Sequence, residues 1–150
     1  MQIEQDASTS SASVEYNGVC VKVPDPMVYG QTMVVDSMHA RKQAMAQRVM
    51  EGGGGSGFVA LPGGFGTLEE LMEITTWNKL GIHDKPVVVF NVEGYWDGLL
   101  SWVNGGVKAG FIGVGQKDIL VEAKSAEEVG EKLRGYVAVE QRMHLDWSAK

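Results

Sequence analysis

The run KPVVVFN, Lys85–Asn91, limits what this chain can become. Its valines and phenylalanine follow one another with no polar residue between them. A strand with one solvated face alternates apolar and polar residues. A strand without alternation is covered on both faces, as in parallel sheets layered between helices. The neighbouring sequence fits that reading. Phe58–Leu61 and Asp118–Glu122 read as further short strands. Thr67–Leu80 reads as a helix with Leu68, Leu71, Met72, Thr75 and Leu80 near one face and Gly81 at C′. Tyr95–Ala109 is a helix weakened by Gly105 and Gly106. Ser125–Gly135 is a helix opened by a capping box, Ser125 with Glu128. Strands and helices that alternate from Phe58 onward predict an α/β fold, a parallel sheet with helices packed on it. Ligands of such sheets bind beyond the carboxyl ends of the strands.

The sequence before Phe58 is less regular. Met1–Tyr16 is polar and Ser-rich, and is expected to be disordered. Val19–Val23 reads as a short strand stopped by Pro24 and Pro26, with Cys20 expected as a small core residue at a strand end. Thr32–Val35 is a candidate extended piece. Asp36 or Ser37 then caps a helix running to about Glu51, with Met38, Met45 and Val49 as a narrow apolar stripe and Arg41 and Lys42 at its edges. EGGGGSG, Glu51–Gly57, reads as a long flexible loop. The expected organisation is a segment 1–16, one domain over 17–136 and a loose tail 137–150.

At 150 residues the chain is long enough for one core. Its formal charge of −6, with no basic run or face, argues against a general nucleic-acid or membrane-surface binder. One cysteine cannot form an internal disulfide, which suits a reducing, cytoplasmic compartment. No apolar run is long enough to span a bilayer, and no secretory signal stands out. His39, His83 and His144 lack any metal-ligand spacing and read as solvated or locally bonded, so neither a metal nor a cofactor is expected.

The chemistry concentrates in ALPGGFGTLEELMEITTWNKLG, Ala60–Gly81. Here a strand turns through Gly63, Gly64 and Gly66 into a helix. Glycines let the backbone approach a ligand closely, and free N–H groups at a helix start favour an anion. Thr67 adds a hydroxyl that can reach phosphate. The bland alternative is a plain tight turn. Glu70 has two readings as well: a capping-box partner of Thr67, or a carboxylate placed for chemistry. Glu69 lies a quarter turn away and reads as solvated. Arg41 and Lys42 are either snorkelling side chains or the cations that a phosphorylated ligand needs. The turn lacks the Gly-Lys-Ser/Thr of a P-loop, and no ribose-binding acid follows at the dinucleotide spacing.

SMHARKQAM (Ser37–Met45) followed by PGGFGTLEE (Pro62–Glu70) resembles the LOG, or Lonely Guy, family of cytokinin riboside 5′-monophosphate phosphoribohydrolases. TTWNKLGIHDKPVVVFNVEGYWDGLL continues the likeness, which covers roughly Tyr29 to Leu133. The resemblance implies a Rossmann-like fold, a homodimer or an assembly of dimers, and hydrolysis of the N-glycosidic bond of N6-substituted adenosine 5′-monophosphates. It implies Arg41 and Glu70 as the catalytic pair, Gly63, Gly64, Gly66 and Thr67 as the phosphate turn, and Met38 and Lys42 at the border of the nucleotide site. Family members begin with a further strand and a Gly-Ser-rich turn. Neither is found before Pro24, so the first N-terminal βα units are expected to be missing. A non-catalytic nucleotide-binding or dimerisation module is therefore the competing expectation. Decarboxylation of lysine, a label often attached to this motif, does not fit: it needs pyridoxal phosphate on a lysine in a much larger fold.

Overall fold

The computed structural model describes residues 12–16, 18–140 and 142–143, which divide into two compact units, Met1–Met38 and His39–Lys150. His144 and residues 1–11 lie outside the described residues. In the first unit β1 (Ala12–Tyr16) pairs antiparallel with β2 (Val19–Val23), from Ala12 opposite Val23 to Tyr16 opposite Val19. The strand β1 thus falls in the segment expected to be disordered, while β2 has the expected bounds. Cys20 is exposed, not a core residue. Strand alternation places it on the same face as Lys22, which is also exposed. A single turn of helix, α1 (Pro26–Tyr29), follows, with the Asp25 side chain accepting from the Met27 N–H at 2.8 Å. Thr32–Val35 joins no strand.

The second unit holds the alternating pattern. Helix α2 (Met38–Met50) leads into β3 (Phe58–Ala60), α3 (Phe65–Lys79), β4 (Val87–Phe90), α4 (Asp97–Lys108), β5 (Leu120–Ala123) and α5 (Ala126–Gly135). The strands form a parallel sheet in the order β3-β4-β5, with Phe58 beside Val87 and Val87 beside Leu120. This is a Rossmann-like α/β arrangement. The uninterrupted valines belong to the central strand: Val87, Val88 and Val89 have no exposed surface. Burying a valine side chain stabilises by roughly 1.5–3 kcal/mol before conformational entropy is counted. Val87 and Val89 pack with Leu71, Trp96, Val103 and Leu120 in the core.

Local sequence sets the ends of these elements. At the end of α3, Gly81 takes φ +78°, its N–H bonds the Asn78 carbonyl, and the Ile82 N–H bonds the Trp77 carbonyl. This is the paired closure that a C′ glycine permits. Ser125 caps α5 by accepting from the Glu128 N–H, while the Glu128 carboxylate reaches back to the Lys124 N–H. The glycine loop is more tightly held than its composition suggests. Lys85 Nζ donates to the Gly52 carbonyl at 2.8 Å, and a Cβ on Gly57 would lie 2.5 Å from Pro86. Among the described residues, no helix is long and apolar enough to cross a membrane.

Candidate active site

The turn after β3 is built by three glycines with different reasons for being there. A Cβ on Gly63 would lie 2.2 Å from the Thr67 hydroxyl oxygen, so the residue must be glycine for the chain to pack against itself. Gly64 and Gly66 face open space, with nothing within 4 Å of a Cβ at either position. No contact within the protein uses their missing side chains. Helix α3 starts at Phe65, two residues earlier than its sequence suggests, with Gly64 at the N-cap and no side chain capping it. Thr67 is therefore the third helical residue, not the cap, and Glu69 and Glu70 stand beyond the first turn. The capping-box reading of Thr67 with Glu70 does not hold. The uncapped N–H groups and the positive end of the helix dipole favour an anion at this open turn.

Glu70 instead meets Arg41, the two side chains forming a hydrogen-bonded ion pair between α3 and α2. Its neighbour repeats the arrangement. Lys42 Nζ lies 2.7 Å from Glu69 Oε1 and 3.1 Å from Glu73 Oε2. Glu69 and Glu73 are four residues apart and so share a face of α3. The two carboxylates, Glu69 foremost, hold the Lys42 ammonium above its ordinary pKa. Glu69 is thus paired, not simply solvated. Glu73 escaped the sequence reading, although the spacing from Glu69 was a signal for it. Both basic residues act across to α3 and do not merely snorkel along α2.

Lys42, Thr67 and Glu70 line one cavity of about 410 Å³ between α2, β3 and α3. The rest of its wall is largely apolar, including Met45, Val49 and Leu61. Met38 is the exposed first residue of α2, three positions before Arg41. Tyr95, just past β4, donates its hydroxyl to the Gly63 carbonyl. Neither composition nor periodicity marks that contact. Among the described residues, no three His, Cys, Asp or Glu side chains gather as a metal site.

The family model described as "Possible lysine decarboxylase" matches residues 2–133. The chain belongs to this family, the LOG family. Among similar proteins, a bifunctional cytokinin biosynthesis protein of Fusarium pseudograminearum is 48% identical over 119 residues, 79% of this chain and 24% of that protein. A cytokinin riboside 5′-monophosphate phosphoribohydrolase of Arabidopsis thaliana is 49% identical over 108 residues, 72% of this chain and 48% of the relative. A probable enzyme of the same name from Oryza sativa is 43% identical over 120 residues, 79% of this chain and 54% of the relative. This LOG-family chain spans about half the length of the two plant relatives and a quarter of the fungal one.

Proposed function

We propose that this chain hydrolyses the N-glycosidic bond of N6-substituted adenosine 5′-monophosphates, releasing the free cytokinin base and ribose 5-phosphate. The observation that carries the reading is the Arg41–Glu70 pair beside an uncapped helix start with two open glycines. In the reaction the bond between the ribose C1′ and the base nitrogen breaks. Water adds hydroxide to C1′ and a proton to the base. As the bond breaks, the ribose gains oxocarbenium-like positive charge. The Glu70 carboxylate stabilises that charge and takes or orients the water proton, a role worth typically 10²- to 10⁴-fold. Arg41 holds Glu70 in place and offers its remaining donors to ribose or phosphate oxygens. The turn Gly63–Thr67 receives the 5′-phosphate. Lys42 and Met38 border the nucleotide, Lys42 through the cavity wall it shares with Glu70. A homodimer or an assembly of dimers in a reducing cytoplasm is the proposed setting, the latter suited to the exposed thiol of Cys20.

A non-catalytic nucleotide-binding module is the second reading. Its support is the short sheet, in which β3 pairs with β4 alone among the described strands. Incubation with N6-isopentenyladenosine 5′-monophosphate, followed by chromatography for free base, separates the two. Base released by the native chain and lost in Glu70→Gln supports the hydrolase. Nucleotide bound without base release, in a folded sample, supports the module.

A further inference from the structure

We infer that Tyr95 is a positioning residue for the anion-binding turn, acting through the Gly63 carbonyl; the inference rests on the proposed role of that turn. The Tyr95 hydroxyl donates to the Gly63 carbonyl oxygen at 2.5 Å, across 32 positions of sequence. A trans peptide plane carries its C=O and the next N–H on opposite sides. Holding the Gly63 carbonyl towards Tyr95 therefore directs the Gly64 N–H away from it. The Gly63–Gly64 plane would otherwise be free to rotate, because glycine restrains its backbone least.

The phenol itself is held from below. Asn91, at the carboxyl end of β4, is buried and uses its whole amide. Its Nδ2 donates to Asp97 Oδ1 at 2.8 Å and to Glu122 Oε1 at 2.6 Å, and its Oδ1 accepts from the Trp96 N–H at 2.7 Å. The chain between these anchors is forced into an unusual path. Glu93 takes φ +51° and Gly94 φ +75°, and a Cβ on Gly94 would lie 2.7 Å from Asp97. A left-handed glutamate is strained, and the surrounding bonds must offset that strain. The Tyr95 ring then stands edge-on to the buried Trp96, centroids 5.1 Å apart. The result is a continuous series of contacts from β5 through the end of β4 to the turn after β3. Half of the Tyr95 surface remains exposed, so loss of its hydroxyl leaves the core untouched.

The test compares AMP with adenosine, two ligands that differ in the group the turn receives. Calorimetry on the full chain gives both affinities for the native protein and for Tyr95→Phe. The expected result is a native preference for AMP, and in Tyr95→Phe a weakening of AMP binding by roughly 3- to 10-fold with adenosine binding unchanged. The backbone amide resonance of Gly64 is expected to shift in the same variant without a ligand. A variant that keeps the full AMP preference and an unmoved Gly64 resonance overturns the role of Tyr95 alone. Equal losses for both ligands would make Tyr95 a general structural residue and also overturn it. A native chain that does not distinguish AMP from adenosine removes the anion reading of the turn, and the role of Tyr95 falls with it.

Discussion

The two ends of α3 treat their polar groups in opposite ways. At the carboxyl end most polar groups are bonded within the protein, the buried Asn78 Oδ1 being the exception. Asn78 is fully buried and donates to the Lys85 carbonyl at 3.0 Å. His83 is buried with both ring nitrogens engaged, Nε2 with the Ile74 carbonyl at 2.8 Å and Nδ1 accepting from the Lys85 N–H at 3.1 Å. Arg142 and Met143 return to the same place, donating to the carbonyls of His83 and Lys79. At the amino end the N-cap is a bare glycine, Phe65 is almost wholly exposed, and the Arg41–Glu70 pair remains open to solvent. Buried polar groups must be satisfied internally, whereas a site must keep donors and charges available. Polar residues alone therefore do not mark function on this helix; the amino end is marked because no side chain caps its N–H groups and its Arg41–Glu70 pair stays open to solvent.

The sharpest way to break this comparison is Glu70→Gln. Base release is expected to fall 10²- to 10⁴-fold with the unfolding midpoint nearly unchanged, as read by chromatography and thermal melting. A comparable loss of stability would place Glu70 with the structural end. Asn78→Ala should do the reverse. It leaves the part-buried Lys85 carbonyl without this donor and is expected to cost about 1–3 kcal/mol in denaturant unfolding, with the turnover of folded molecules retained.

A third expectation concerns acid. Burial, joined by the smaller effects of the Arg142 and Lys85 charges, holds the His83 imidazole below its ordinary value of 6.5, against the opposing effects of the Ile74 carbonyl and Asp84. The unfolded chain then takes up this proton more readily than the folded one. The stability that His83 contributes is whole above about pH 6.5 and is lost as the pH falls from there towards the depressed folded value. Unfolding measured at about pH 5 and about pH 7.5 should show that loss, and His83→Gln should flatten it.

Neighbouring positions of the glycine turn are expected to differ in stability. Gly63→Ala must displace Thr67 and is expected to destabilise by roughly 1–3 kcal/mol. Gly64→Ala meets nothing in the chain and is expected to stay within about 0.5 kcal/mol of the native stability while weakening AMP binding. Similar stability losses in both variants would show that Gly64, too, is shaped by packing and not kept open for a ligand.

Much of this was legible from local signals, and the exceptions have identifiable causes. The buried strand Val87–Phe90, the alternation of strands and helices, the C′ role of Gly81 and the Ser125 cap follow from rules that act within a few residues. The start of α3 was misplaced because Thr67 is a better capping residue than Gly64 on local preference. Packing decided otherwise by setting the Thr67 side chain over Gly63. The loop Glu51–Gly57 read as free linker because composition is silent about Pro86, Leu133 and Lys85, which close on it. Cys20 was read as core because a short apolar strand does not say which of its faces is covered.

The sequence by itself determined the order and type of the elements from β3 onward, the family and the residues of its motif. These depend on periodicity, turn chemistry and a specific string of residues, all carried by the chain locally. The tertiary structure decided the pairings: Arg41 with Glu70, Lys42 with Glu69 and Glu73, and Tyr95 with Gly63. Each joins residues at least 27 positions apart. Such contacts arise only after the sheet has packed its helices, because a charge or a hydroxyl carries no local signal of the partner that folding will bring to it.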